Sequence, residues 1–325
     1  MKDSFKNLFL TTISVLLSLF LIEILLRIWG FETFKYLETN SPQPSIYKND
    51  KILGWSNKEG LHQIRIDDDN TVSYRFHKDG SRYSGRDFDV NNSDKKITIL
   101  GGSFALGQAV NDNQTFAFYV QNNLKQYKIK NYGVGGHGTY QSYLRLKELF
   151  KSNQNIDYVI YSFIDPHEKR NMGDASWSEW LSKLSKKPVY IPYVTLDGKN
   201  KLTEHPPREY LVLPLSGQSV LISKIQKKIM RMILYSSKDD TVFVTKQLIL
   251  KMKKLSDLNG SKFIFVNLNS KISKIDDYSN FSKANNINFV NCQIYLGEDL
   301  IVKNDGHPND RAHKKYGNCI LKALK

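Results

Sequence analysis

Five short runs of apolar, largely β-branched residues recur along the last two thirds of the chain: Ile97–Leu100, Ile129–Tyr132, Tyr158–Phe163, Phe263–Asn267 and Ile287–Val290. Between them, apolar residues return every three or four positions in Thr115–Leu124, Tyr140–Lys151, Ser219–Ile233, Val242–Leu258 and Ile275–Ala284, and Arg311–Leu324 closes the series. Strands that are apolar on both faces and alternate with amphipathic helices predict a parallel sheet with helices packed on each side. The expected architecture is a three-layer α/β/α, flavodoxin-like domain around a five-stranded parallel sheet spanning residues 96–325. One stretch breaks the alternation. Residues 172–218 hold five of the nine prolines and read as an insertion expected to overhang the carboxyl ends of the strands.

The beginning of the chain follows another pattern. Leu8–Trp29 is almost continuously apolar, and Phe9–Ile22 carries no charge. As a helix its 22 residues rise about 33 Å, enough for a hydrocarbon core of about 30 Å. Glu23 and Arg27 lie four apart near its end, where they can pair or reach toward headgroups. A retained signal anchor over residues 1–30 is expected rather than a cleaved signal, because GFETFKYLE after Trp29 offers no small-residue cleavage site. Charge sets the orientation poorly, with Lys2 and Lys6 before the helix and Arg27 and Lys35 after it. Residues 31–95 read as a polar linker (Thr39–Lys51) and a small, turn-rich β-appendage built on HQIRID and TVSYRF.

Composition narrows the class. Hydrophobic residues make up 40% and charged residues 24% of the 325, which is globular and excludes disordered and fibrous chains. The net charge of +15 comes from 37 Lys and only 10 Arg. Recognition of phosphate and guanine leans on arginine, so no nucleic-acid partner is expected. Ser219–Lys254 carries nine basic and two acidic residues. Its Ile222, Ile225, Ile229 and Ile233 recur at helical spacing, which predicts an amphipathic helix with Lys224, Lys228 and Arg231 on its wet side. That side either is a solvated face or meets anionic lipid headgroups or an acidic polymer. Cys292 and Cys319 fit no metal-ligand spacing, and no metal or cofactor is expected. Two buried thiols are the expected state, with a disulfide open to an extracytoplasmic domain.

Three segments carry candidate chemistry. The first predicted strand ends in ITILGGSFALG, which sets Ser103 at a strand tip after two glycines, although the G-x-S-x-G elbow is not matched. The second ends in NYGVGGHGTYQ, whose glycines can bring backbone N–H groups toward an anion beside the first loop. Near the end, KNDGHPNDRAHKKYG places Asp305 two residues before His307, a carboxylate able to orient an imidazole base for a serine. His313, on the helix that follows, reads as a surface residue. The three segments are expected to meet at one edge of the sheet.

This pattern resembles the SGNH (GDSL-like) hydrolase superfamily over roughly residues 96–325. Gly101-Gly102-Ser103 with Gly107 is similar to the family's Gly-Asp-Ser block, with Gly102 where the family has Asp. Asn131, Gly133, Gly136 and Gly138 fit the second block, and Asp305, His307, Pro308 and Asn309 fit the last, spaced Asp-x-His rather than Asp-x-x-His. The helix end Ile22–Arg27, Leu53-Gly54-Trp55 and Asp79-Gly80-Ser81-Arg82 resemble the membrane-anchored bacterial branch. The family's third-block Asn is absent from YVIYSFIDPHEKRN. His167 is the nearest replacement donor, against a reading in which Glu168 or Asp165 satisfies it, and Asn171 lies further on.

The resemblance implies a catalytic triad of Ser103, His307 and Asp305 and an oxyanion hole from the N–H groups of Ser103 and Gly136 with His167. It implies a serine esterase acting on O-acyl groups of a carbohydrate or cell-surface polymer. The domain would be extracytoplasmic, held at the cell membrane by a single-pass helix that contacts lipid. An O-acyltransferase to a sugar hydroxyl and a non-catalytic binding protein of the same fold are the alternatives.

Overall fold

The computed structural model describes residues 2–37, 46–66, 70–86 and 95–324. Packing divides them into two compact units. The larger comprises Thr39–Asp174, Tyr190–Arg208 and Ser236–Lys325; the smaller comprises Met1–Glu38, Ala175–Val189 and Glu209–Tyr235.

The larger unit opens with two antiparallel pairs. Strands β1 (Tyr47–Asp50) and β2 (Gly54–Asn57) form one, and β3 (Gly60–Arg65) and β4 (Thr71–Phe76) form the other. Tyr47–Asp50 is therefore a strand within the expected linker, while residues 39–45 lie outside the described residues. Then come β5 (Lys95–Gly101), β6 (Tyr127–Asn131), β7 (Tyr158–Ile164), the hairpin of β8 (Tyr190–Leu196) and β9 (Leu202–Glu209), β10 (Lys262–Asn269) and β11 (Asn288–Asn291). Five of these form one parallel sheet in the order β6-β5-β7-β10-β11. The chain starts in the middle, steps to one side and then crosses to the other, which is the expected flavodoxin-like order.

Both faces of the sheet are apolar because alternate residues point opposite ways. On one face Ile97, Ile99, Ile160, Ile264 and Val266 pack with Phe116 and Val120 of α3 (Phe116–Asn123) and Tyr316 and Ile320 of α10 (Asp310–Leu324). On the other, Leu100, Tyr161, Phe163 and Phe265 pack with Leu146 and Phe150 of α4 (Thr139–Lys151), Ile249 and Met252 of α8 (Lys238–Leu258) and Tyr278 of α9 (Ile272–Ala284). Helix starts follow local chemistry. Thr115 caps α3 by accepting from the Phe118 N–H, and Ser237 caps α8 by accepting from that of Asp240. The two shortest helices, α2 (Ser103–Leu106) and α5 (His167–Asn171), sit at strand tips.

The smaller unit holds α1 (Lys2–Ile28), α6 (Ala175–Lys183) and α7 (Val220–Ile233). Helix α1 is long and apolar enough to cross a membrane, and its most apolar 18-residue stretch has a mean hydropathy of 2.4. Phe34, Tyr210, Met230 and Leu234 form a small core of their own. The 172–218 insertion is thus divided. Its hairpin β8–β9 packs Val194 against Leu53, Tyr140, Leu144, Val244 and Leu248, while its flanks join the unit of α1.

Two expectations are corrected. Cys292 and Cys319 are not free thiols but form a disulfide that joins the segment after β11 to α10. Helix α7 forms where expected, yet it turns Val220, Gln226 and Met230 inward and leaves Ile225, Ile229 and Ile233 exposed. The Met230–Leu234 contact with Phe34 and Tyr210 sets its inward side, so the isoleucine stripe is not the packed face.

Candidate active site

Three chain segments meet at the carboxyl edge of the sheet, and upstream residues hold them there. Ser103 follows β5, the central strand, and is buried as the first residue of α2. The loop after α2 is gripped by Arg82, a fully buried side chain. Its guanidinium donates to the carbonyls of Leu106, Gly107 and Val110 and pairs with Asp112 at 2.7 Å. A buried arginine is tolerable only when its donors are spent in this way. The Asp79-Gly80-Ser81-Arg82 segment thereby acts on the serine loop from a distance in sequence.

The glycine loop is held similarly. Asn131 at the end of β6 donates from Nδ2 to the Ala105 carbonyl and accepts the Gly133 N–H, tying this loop to the serine loop. Asn57 donates to the carbonyls of Gly80 and Gly133, Trp55 Nε1 donates to that of Gly135, and His137 Nε2 meets that of Trp55. The Gly135 N–H is taken by the Tyr47 hydroxyl. The N–H groups of Ser103 and Gly136 have no acceptor among the described residues, nor does Ser103 Oγ have a partner there. Gly136 adopts φ +81°, a left-handed conformation that a side chain would strain.

Asp305 and His307 are joined by a 2.5 Å hydrogen bond from imidazole Nδ1, and Asp305 also accepts the His307 N–H at 3.1 Å. Burial pushes the Asp305 carboxyl up, but hydrogen bonding to His307, its charge, and Gln108 outweigh this and hold it below its usual range. The imidazole packs edge-on against Phe104, next to Ser103, with centroids 5.9 Å apart. No hydrogen bond joins Ser103 to His307 among the described residues. Asn309 caps α10 by accepting the Ala312 N–H, which fixes where the Asp305–His307 turn ends. The disulfide staples the segment before this turn to the helix after it.

His167, at the start of α5, is completely buried. Its Nδ1 lies 2.8 Å from the Tyr161 hydroxyl, which in turn lies 2.7 Å from Thr139 Oγ1. Its Nε2 has no partner among the described residues. A Cβ placed on Gly102 would stand 2.6 Å from this nitrogen, so any side chain there, the family's Asp included, would collide with His167. Burial above all, then the charges of Arg170 and His137, hold His167 well below its ordinary value, so it is neutral.

The partners proposed from sequence for His167 are otherwise engaged. Glu168 bonds Lys274 and Tyr278, and Asp165 accepts the Lys271 N–H. Asn171 is spent on Tyr140 and Thr245. Sequence reading missed Tyr161, whose strand position hides its role, and Arg170, a partly buried cation that donates to the His137 carbonyl at 3.0 Å. His313 is buried rather than superficial and accepts the Phe116 N–H through Nδ1.

No family model and no curated protein matches the chain. Among solved structures it is similar to a lipolytic protein of the G-D-S-L family from Veillonella parvula DSM 2008 (10% identity, 70% of this chain, 97% of that one, TM-score 0.41). It is also similar to the psychrotrophic esterase EstA of Pseudoalteromonas sp. (10%, 71%, 97%, 0.41) and to AlinE4, an SGNH-hydrolase family esterase (13%, 72%, 98%, 0.37). Likeness at this level describes these neighbours and assigns no activity to the chain.

Proposed function

We propose that this protein is a membrane-anchored serine esterase of the SGNH type, acting outside the cytoplasm on O-acyl esters of a carbohydrate or cell-surface polymer. The observation that carries the reading is the set of groups without a partner among the described residues at one sheet edge: Ser103 Oγ, its own N–H and the N–H of Gly136. Unspent N–H donors beside a candidate nucleophile are what a developing oxyanion requires.

In this reading Ser103 Oγ attacks the ester carbonyl. His307 accepts the hydroxyl proton on Nε2, because Nδ1 is committed to Asp305. The tetrahedral oxyanion is held by the N–H groups of Ser103 and Gly136. Collapse expels the alcohol, which takes the proton from His307, and water then releases the acid by the same steps in reverse. His167 supplies a third donor only as the Nε2–H tautomer. That tautomer needs Thr139 to donate to Tyr161 and Tyr161 to donate to Nδ1, a chain the two short distances permit. A neutral imidazole serves here without bringing a proton that could be lost.

Compartment and substrate rest on other features. A disulfide persists in oxidising surroundings, which fits a catalytic unit outside the cytoplasm. The spanning-length helix fits a single-pass anchor. The polymer substrate rests on the resemblance of the upstream segments to anchored relatives.

The test is covalent labelling. The full chain in detergent micelles, treated with a fluorophosphonate probe, should carry the label on Ser103, and Ser103→Ala should carry none. Labelling of wild type and variant alike, or of neither, would overturn the assignment.

A further inference from the structure

Helix α7 has three sides, and only two are explained by the fold. Val220, Gln226, Met230 and, just beyond, Leu234 turn inward. Lys224, Lys228 and Arg231 fall within roughly 60° of one another on a second side, at 100° per residue. On the third side Ile225, Ile229, Met232 and Ile233 stand 45%, 38%, 73% and 60% exposed, followed by Tyr235. A soluble covering helix would bury such a stripe.

The helix is fixed to α1 at a defined place. The Glu23 carboxylate accepts the N–H groups of Val220 and Leu221 and the Ser219 hydroxyl, each at 2.9 Å, and so caps the start of α7 with a side chain from α1. Arg27 pairs with Glu23 and donates to the Gln218 carbonyl at 2.7 Å. Between Lys6 and Glu23 the chain has no charge, and 17 steps at about 1.5 Å make about 26 Å, close to a bilayer's hydrocarbon thickness. Glu23 therefore marks where α1 leaves the hydrocarbon, and α7 begins at that depth. Lys224 Nζ sits 3.3 Å over the ring of Phe31, just past the end of α1, within reach of the same level.

We propose that α7 lies in the headgroup layer of the bilayer that α1 crosses, as a second lipid contact for anionic membranes. Its isoleucine and methionine side rests against the acyl chains, and Lys224, Lys228 and Arg231 reach lipid phosphates beside it. The inference rests on the reading of α1 as an anchor. An apolar side flanked by cations, starting at the depth where a spanning helix emerges, fits a lipid surface by both area and charge.

The test places an environment-sensitive fluorophore on single cysteines of the full chain reconstituted in mixed phosphatidylglycerol and phosphatidylcholine vesicles. The native cysteines are disulfide-bonded, so the introduced thiol alone reacts. Ile229→Cys and Met232→Cys should be quenched by brominated lipid about twofold or more and shielded from aqueous iodide, as amphipathic helices in the interface are. Leu16→Cys in α1 reports the anchor, and a free water-soluble thiol adduct of the same fluorophore gives the open-water reference. Replacing Lys224, Lys228 and Arg231 together by Gln should weaken the lipid quenching at position 229 and leave that at position 16 unchanged. Iodide quenching at 229 and 232 with lipid quenching at 16 would overturn the inference and spare the anchor. Absence of lipid quenching at 16 would overturn both. Protection of 229 and 232 from both quenchers would mean that protein covers them, and would also overturn it.

Discussion

Helices α7 and α8 are consecutive, lysine-rich and amphipathic, and they use their apolar stripes in opposite ways. In α8, Val244, Leu248, Ile249 and Met252 are fully buried, and Lys246, Lys251 and Lys253 pair with Asp277, Glu204 and Asp257. In α7 the isoleucines stay outside, and Lys224, Lys228 and Arg231 have no carboxylate partner among the described residues. Nearly the same pattern of residues thus serves a core in one helix and an open face in the other. Apolar residues at helical spacing give a helix two unlike sides; the surroundings decide which side is covered, and by what.

The same contrast separates the two units, and each expected outcome below tests it. The largest effect belongs to the larger unit. Ser103→Ala should lower turnover of p-nitrophenyl acetate by about 10⁴-fold or more with the melting temperature within about 3 °C, since the hydroxyl has no partner among the described residues. Unchanged turnover would remove the serine from the mechanism.

Next comes a paired substitution, read by chemical denaturation of the full chain in detergent. Leu248→Ala empties a filled site and should cost about 2–5 kcal/mol, whereas Ile229→Ala on the open stripe should stay within about 0.5 kcal/mol. Equal losses would erase the distinction between the helices. Replacing Cys292 and Cys319 by Ser removes a bond across a separation of 27 residues and should cost about 3.5 kcal/mol on loop entropy. Because that loop holds Asp305 and His307, esterase activity should become more heat-labile than binding of vesicles.

The smallest effect is electrostatic. Burial raises the Asp79 carboxyl, but bonds to Lys130 and Ser81 and the lysine charge prevail and set it at about 2. Its unfolded value is near 3.9. A carboxyl depressed on folding stabilises the protein above the unfolded value, and this contribution is lost as pH falls from about 4 through about 2. Partly exposed as it is, Asp79 should contribute about 1–2 kcal/mol at neutral pH. Asp79→Asn should flatten the stability profile in that window, and an unaltered acid limb would show that the pairing adds nothing.

Much of the architecture was legible from residues alone. The five strands, the six helices of the expected pattern, the spanning-length first helix and the paired Asp305 and His307 follow from local rules: period, propensity, capping and short-range hydrogen bonding. Those rules act within a few residues, so the chain states them directly. What remained hidden depended on contacts between distant segments. Cys292 and Cys319 pair because β11 and α10 bring them together. His313 is buried because α3 lies over it, and His167 takes its hydrogen bond from Tyr161 on the preceding strand rather than from its neighbours Asp165 and Glu168. Arg82 organises a loop more than twenty residues downstream. The isoleucine stripe of α7 was visible as a stripe, but its side was settled by Phe34, Tyr210 and the Glu23 cap, which no periodicity encodes. Local sequence determines what each element is; only the packed chain determines which of its faces is left open, because burial is a property of neighbours and not of the element itself.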